Sequence, residues 1–192
     1  MKYLLKTHNK SSYNLQMKKN TIKSNLGSSL EKDINASNLA YQHQQKALIF
    51  KNAVPIQIVK VEYPKRQKAK IVEAYFRLNS LPDYHGIYRQ RYLSFDVKEI
   101  NNINYFPLRN ISPHQITYLK QIKNFGGISF FIIHFKKHNE YFYLSIDDLN
   151  IYYQEYPKKK SIPYSFMKKH FWNITYGYYP RLDYLKIVDK FI

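Results

Sequence analysis

The sequence predicts a mixed α/β domain, a central sheet with helices on its faces. Three observations bear on it. Strand-patterned and helix-patterned runs are interspersed along the chain, the order that builds a sheet covered by helices. Ile128 to Phe135 is almost wholly apolar, the mark of a central strand buried on both faces. The chain has 192 residues, enough for one domain with a substantial core or a compact domain with a projection.

Residues 1–24 carry Lys2, Lys6, Lys10, Lys18, Lys19 and Lys23 with no acidic residue, and are expected to form a flexible basic arm that orders on a phosphate backbone. From Ser28 to about Lys46 the pattern is helical. Ser28 or Ser29 caps, Glu31 sits in the first turn, and Leu30, Ile34, Asn38 and Tyr41 fall near helical spacing. Pro55 to Tyr63 reads as a strand, with Ile56, Ile58 or Val59, and Val61 as its apolar positions. Pro64-Lys65-Arg66-Gln67-Lys68 is a basic turn, and Ile71 to Phe76 is the returning strand. Tyr84 to Arg91 is a connection, with Arg89 and Arg91 flanking a turn, and Tyr92 to Lys98 is the next strand. Phe106 and Pro107 end a loop, Pro113 opens a helix to about Asn124, and Gly126-Gly127 stops it. Tyr141 to Leu144 is the hairpin partner of the apolar strand. A short helix from Asp147, the basic linker Pro157 to Lys160 and a helix from Pro163 to His170 follow. Past Pro180 a last helix runs through Leu182, Leu185, Val188 and Ile192. There is no internal repeat.

Lysine and arginine number 31 against 13 acidic residues, a formal net charge of +18. Such a surface attracts polyanions. A compositional bias toward Lys, Asn, Ile, Tyr and Phe favours lysine, yet it does not explain the scarcity of Asp and Glu, so nucleic acid is the expected partner. The chain has no cysteine, which excludes disulfides, zinc–thiolate sites and thiol catalysis. No apolar run approaches the roughly 20 residues that cross a bilayer. The basic residues are not arranged on one long amphipathic helix, so no membrane role is expected. A cytoplasmic, nucleoid-associated protein is expected. His85, His114, His134 and His138 lack zinc-ligand spacing, and no phosphate-binding glycine loop exists.

The chemistry gathers at Pro82-Asp83 and Asp96-Val97-Lys98. Residues two apart in a strand share a face, so Asp96 and Lys98 point one way and Val97 the other. With the two segments side by side, Asp83 joins Asp96 in an oxygen-rich pocket for a hard divalent cation, close to the Lys98 ammonium. Glu31 or Gln115 converges from another element, while Glu99 points to the opposite face. A cation there acidifies water and polarises a phosphate, and Lys98 orients the attacking water or helps deprotonate it. Arg89 and Arg91, placed beside this site, could hold phosphates bidentately. The cluster of Lys65, Arg66, Lys68 and Lys70 sits at a hairpin tip and reads as a protruding DNA-contacting element. A solvated basic face is its alternative.

These residues, with the runs around them, resemble the RecU family of Holliday junction resolvases from about Asn25 to Asp189. The resemblance rests on Leu30 to Asn38, Pro55 to Val61, Tyr63 to Arg66, Glu73 to Phe76, Asp83 to Tyr88, Arg91 to Glu99, Phe106 to Leu108, His114 to Ile116, Lys160 to Pro163 and Pro180 to Leu185. It implies a restriction-endonuclease-like core within a single nuclease domain at 25–192, with a stalk insertion at about 55–80 over the central cleft of a homodimer. It also implies Mg2+-dependent symmetric nicking of four-way junction DNA in recombination and repair, with Mn2+ as a substitute ion. A recombinase and a branch-migration helicase come with it as further partners to test. By the same resemblance the metal carboxylates fall on Asp83 and Asp96, the catalytic lysine on Lys98, the glutamine near the metal on Gln115 and the early helix glutamate on Glu31.

The chain departs from the family's pattern at several places. Leu81 stands where a threonine touches the metal, leaving only a backbone carbonyl to coordinate. Leu26 replaces an arginine in Asn25-Leu26-Gly27, His85 an asparagine, and Asp96 a glutamate one methylene longer. Two other readings therefore stay open: a junction-binding, strand-bridging protein with weak or no cleavage, and an endonuclease specific for a duplex sequence.

Overall fold

In a computed structural model of the protein the described residues are 29–77 and 81–192, the side chain of Arg66 excepted. The basic arm, the Asn25-Leu26-Gly27 run and the Ser28 cap lie outside them.

Six strands form the main sheet, in the order β1 (Ala47–Lys51), β4 (Tyr84–Tyr88), β5 (Arg91–Ile100), β7 (Ile128–Phe135), β8 (Glu140–Ser145) and β10 (Trp172–Ile174). β5 and β7 are parallel and every other pair is antiparallel, so the sheet is mixed. All eight residues of β7 are buried, as its unbroken apolar run requires. Helix α1 (Ser29–His43) and the short α5 (Leu185–Val188) cover one face. Helices α2 (Pro113–Asn124), α3 (Ile146–Glu155) and α4 (Tyr164–His170) cover the other.

Aromatic packing fixes the register. Tyr84, Phe95, Phe130 and Tyr143 stack in sequence across β4, β5, β7 and β8, with ring centroids 4.9, 4.7 and 4.4 Å apart. Each such pair is worth about 0.5–1.5 kcal/mol beyond the area it buries. A slip of one residue would turn every ring to the wrong face. At Gly86 a Cβ would lie 2.2 Å from the Leu48 carbonyl oxygen, so only glycine lets β4 approach β1 there.

Among the described residues, the strands Ile56–Glu62 (β2) and Lys70–Phe76 (β3) pair only with each other. Ile58, Val59, Ile71, Val72, Tyr75 and Phe76 are all exposed, although their pattern is that of a strand pair. The 3-10 turn Arg66–Lys68 joins them. A two-stranded ladder of Tyr105–Pro107 (β6) and Ser161–Pro163 (β9) completes the fold.

Several expectations are corrected. Tyr84 to Arg91 is no mere connection: it forms β4 and a tight turn, in which Arg89 and Gln90 take positive φ of 47° and 62°. Asp83 therefore immediately precedes a strand. The last helix is only Leu185–Val188, because the Leu182 N–H is spent on Ser37 Oγ at 2.8 Å and its carbonyl accepts from the Tyr41 hydroxyl at 3.0 Å. Ser29 is the first residue of α1 and does not cap it. Its hydroxyl donates to Glu99 Oε2 at 2.7 Å, and the Leu30 N–H reaches the same oxygen at 3.3 Å. A strand carboxylate thus does the capping, on the helix end where negative charge is favoured.

Candidate active site

The β4–β5 hairpin builds the site. Tyr84 pairs with Phe95, so Asp83, one residue earlier, lies opposite Asp96. Asp83 Oδ2 accepts from the Val97 N–H at 2.9 Å, continuing the ladder through a side chain. Behind it stands Asn52, just past β1. The Asn52 N–H donates to the Asp83 carbonyl at 2.8 Å and its Nδ2 to the Pro82 carbonyl at 2.6 Å. The backbone of the acidic segment is thereby pinned to the neighbouring strand.

Period-two alternation holds along β5. Val97 turns into the α1-side core, while Asp96 is fully buried on the α2 side with Lys98 beside it. Lys98 Nζ lies 2.6 Å from Asp96 Oδ1. Gln115 Nε2 donates to Asp96 Oδ2 at 2.5 Å, and Gln115 Oε1 accepts from the Ser112 N–H at 3.3 Å. Gln115 thus caps α2 with one end and orients Asp96 with the other. The signal for this was in the sequence: Ser112-Pro113-His114-Gln115 has the spacing of a capping box.

Burial pushes the Asp96 carboxyl up to about 6. Lys98 pulls it down and the Asp83 charge adds to the rise, without reversing the effect of burial. Two carboxylates and one ammonium leave a local formal charge of about −1. The Asp96 Oδ1 atom is buried, and the Lys98 ammonium lies against it at 2.6 Å. A negative pocket in which two carboxylates face each other across the hairpin fits a hard divalent cation. Among the described residues no group of three or more His, Cys, Asp or Glu converges, so such an ion would be held by the Asp83–Asp96 pair with help from neutral oxygens. Gln115 donates in this arrangement, and it would ligate through Oε1 only after its amide turned over.

Glu31 is not in that pair. It faces Lys51 at 2.6 Å, from α1 to the end of β1. It remains in the same corner: burial first, and then the charges of Glu31 and Asp83, push the Tyr84 phenol up. The Leu81 side chain is half exposed and offers no donor oxygen. Glu99 points to the opposite face, as expected, where it meets His134 Nδ1 at 3.1 Å and Lys136 at 3.2 Å.

Lys65, Lys68 and Lys70 are exposed at the tip of the β2–β3 hairpin, with Arg66 in the same turn. Arg89 and Arg91 require a correction. The Tyr88–Arg91 pairing is four residues along the hairpin from Tyr84–Phe95, about 13 Å at strand rise, so they sit at the far end from Asp83 and Asp96. Arg89 there pairs with Asp189 at 3.2 Å and lies over the Tyr88 ring.

Comparison with known proteins supplies the remaining findings. The family described as RecU, recombination protein U, matches residues 25–190. A Holliday junction resolvase RecU of Geobacillus kaustophilus is 44% identical over 168 residues, covering 86% of this chain and 84% of the relative. The Ligilactobacillus salivarius protein of the same name is 45% identical over 173 residues, covering 90% and 81%. A solved structure of Archaeoglobus fulgidus Hjc, described as a Holliday junction resolvase, aligns with TM-score 0.42 at 14% identity, covering 74% of this chain and 93% of that one.

Proposed function

This chain belongs to the RecU family, and from that premise we propose that it is a structure-selective endonuclease that resolves Holliday junctions. The observation that carries the reading is the buried Asp96 carboxylate, held between Lys98 and Gln115 with Asp83 across the hairpin. We propose Mg2+ as the ion, with Mn2+ able to replace it. When bound, such an ion supplies Lewis acidity toward a scissile phosphate and toward water. The chain's own residues do the rest. Asp83 and Asp96 provide the binding charge, and Gln115 and Asn52 hold their positions. Lys98, with its ammonium 2.6 Å from Asp96, orients the attacking water and offsets charge that develops on phosphate oxygens.

Selectivity in this reading comes from junction shape more than from base edges, and affinity from phosphate contacts by the basic surface. A homodimer with two-fold symmetry would give two cuts on opposing strands. The protein would act in the cytoplasm on the nucleoid. Leu81, which offers no hydroxyl to an ion, favours the second reading, junction binding with weak cleavage. A time course with synthetic four-way junction and linear duplex, each with Mg2+, Mn2+ or EDTA, separates the readings. Junction nicking that requires the metal and is lost in Lys98→Ala supports resolution. Tight binding in EDTA without product in either metal supports the second reading, and equal cleavage of duplex defeats both.

A further inference from the structure

A cleft of about 510 Å3 opens beside the β6–β9 ladder, lined by Tyr105, Leu108, Arg109, Tyr153, Lys159 and Lys160. Its walls are tied together. Phe106 pairs with Ile162, the Leu108 N–H donates to the Lys160 carbonyl at 3.0 Å, and the Tyr152 hydroxyl donates to the Ser161 carbonyl at 2.8 Å. No acidic side chain among the described residues lines it. Among the described residues, no ion pair engages Arg109, Lys159 or Lys160. A neighbouring cleft lined by Lys120, Lys123 and Asp147 differs, because Lys123 is neutralised by Asp147 at 3.1 Å.

Among the described residues, three cations without an ion pair line one concavity, which suits anionic oxygens. Tyr105, half exposed, and Tyr153, partly buried, line the same cleft as the cations. A phosphate next to a flat π-system is the chemistry of a nucleotide whose base is out of the duplex stack. A paired duplex offers the phosphate and no free base face. The cleft lies on the α2 side of the sheet, the side of Asp96. Arg109 is three residues from Ser112, whose N–H binds Gln115, so its Cα lies within about 11 Å of that cap by chain length alone. That reach is about three nucleotide rises of 3.4 Å.

We infer that this cleft is a subsite for an unpaired nucleotide of a DNA strand, with its phosphate on Arg109, Lys159 and Lys160 and its base on Tyr105. It rests on the DNA-processing reading above and adds a place for a strand opened at the crossover. The test uses the full chain in EDTA, with fluorescence anisotropy of labelled oligo(dT), duplex and four-way junction at several salt concentrations. Replacing Arg109, Lys159 and Lys160 by Ala together should weaken oligo(dT) binding about tenfold or more and lower its salt slope by about two. Tyr105→Ala should weaken it about fivefold or more, and Tyr105→Phe should keep wild-type binding. Duplex affinity should change by less than about twofold. The charge-preserving pair Lys159→Arg and Lys160→Arg should bind as wild type, and the contrast between Tyr105→Ala and Tyr105→Phe keeps the test decisive even where the alanine triple folds poorly. Equal losses for duplex and oligo(dT), unchanged oligo(dT) binding in every variant, or Tyr105→Phe as weak as Tyr105→Ala would each overturn the inference. A protein that fails to nick junctions but shows the expected oligo(dT) pattern leaves the subsite standing and sinks the resolvase reading alone.

Discussion

Asp96→Asn is expected to abolish metal-dependent chemistry and, without metal, to make the protein more stable. The wild-type carboxyl is fully buried, and burial raises it from the ordinary 3.8 to about 6 despite Lys98 at 2.6 Å. A raised acid binds its proton more tightly in the folded state than in the unfolded one. Folding stability therefore falls as pH rises between about 3.8 and about 6, and stays lower above that window. The gap of about two pH units corresponds to about 3 kcal/mol at neutral pH. An asparagine of the same shape keeps an oxygen to accept from Gln115 Nε2 and carries no charge to desolvate. Lys98 loses its partner, but it is partly exposed and regains some hydration. The expected gain is about 2–3 kcal/mol at pH 7, or about 5–10 °C in Tm for a chain of this size. Thermal unfolding in EDTA at pH 7 and pH 4 measures it. The gain should be present at pH 7 and absent at pH 4, and Mg2+ should raise the wild-type Tm but not that of the variant. A variant no more stable than wild type at pH 7, or equally stabilised at both pH values, would refute the electrostatic account of this pocket.

Gly86→Ala would drive a methyl into the Leu48 carbonyl and the Ile49 Cα of the adjacent strand, so urea denaturation should show a loss of about 3 kcal/mol. Gln115→Ala removes the bond to Asp96 and the α2 cap together, and single-turnover nicking should fall about 10–100-fold with junction affinity in EDTA unchanged. Changing Lys65, Arg66, Lys68 and Lys70 to Ala should weaken junction binding far more than duplex binding and lower the junction salt slope by about one per lost phosphate contact. Equal loss on both substrates would make that turn a general basic face.

The Asp96–Lys98 pair was legible because strand periodicity is strict: the two share a face wherever that segment is a strand. The central strand was legible from its unbroken apolar run, and the β2–β3 hairpin from its alternation. What pairs with what was not. Ala47 to Lys51 carries too short and mixed a pattern to stand out after the helix, so β1 went unread, and with it Asn52 and the Lys51–Glu31 ion pair. These contacts join residues 20 to 31 positions apart, and nothing local encodes them. The Glu99 cap on α1 bridges 69 residues and is invisible for the same reason. Arg89 and Arg91 fall far from the acids because the run from Tyr84 is a strand and not a connection. Once it is a strand, each residue carries the arginines farther from the acids. The closing helix had adequate apolar spacing but lost Leu182 to tertiary hydrogen bonds, a case of packing overriding local preference.

The most direct measurement is a strand-resolved cleavage map. Four versions of one synthetic four-way junction, each labelled on a different strand, are bound to excess protein in EDTA, and Mg2+ in excess starts the reaction. The account predicts paired nicks at symmetry-related positions on two opposing strands, giving ligatable duplexes. It also predicts no nicks with Asp83→Asn, Asp96→Asn or Lys98→Ala, each of which binds the junction as wild type does. Nicks on a single strand, nicks that persist in all three variants, or no nicks from a wild-type protein that binds the junction would contradict it.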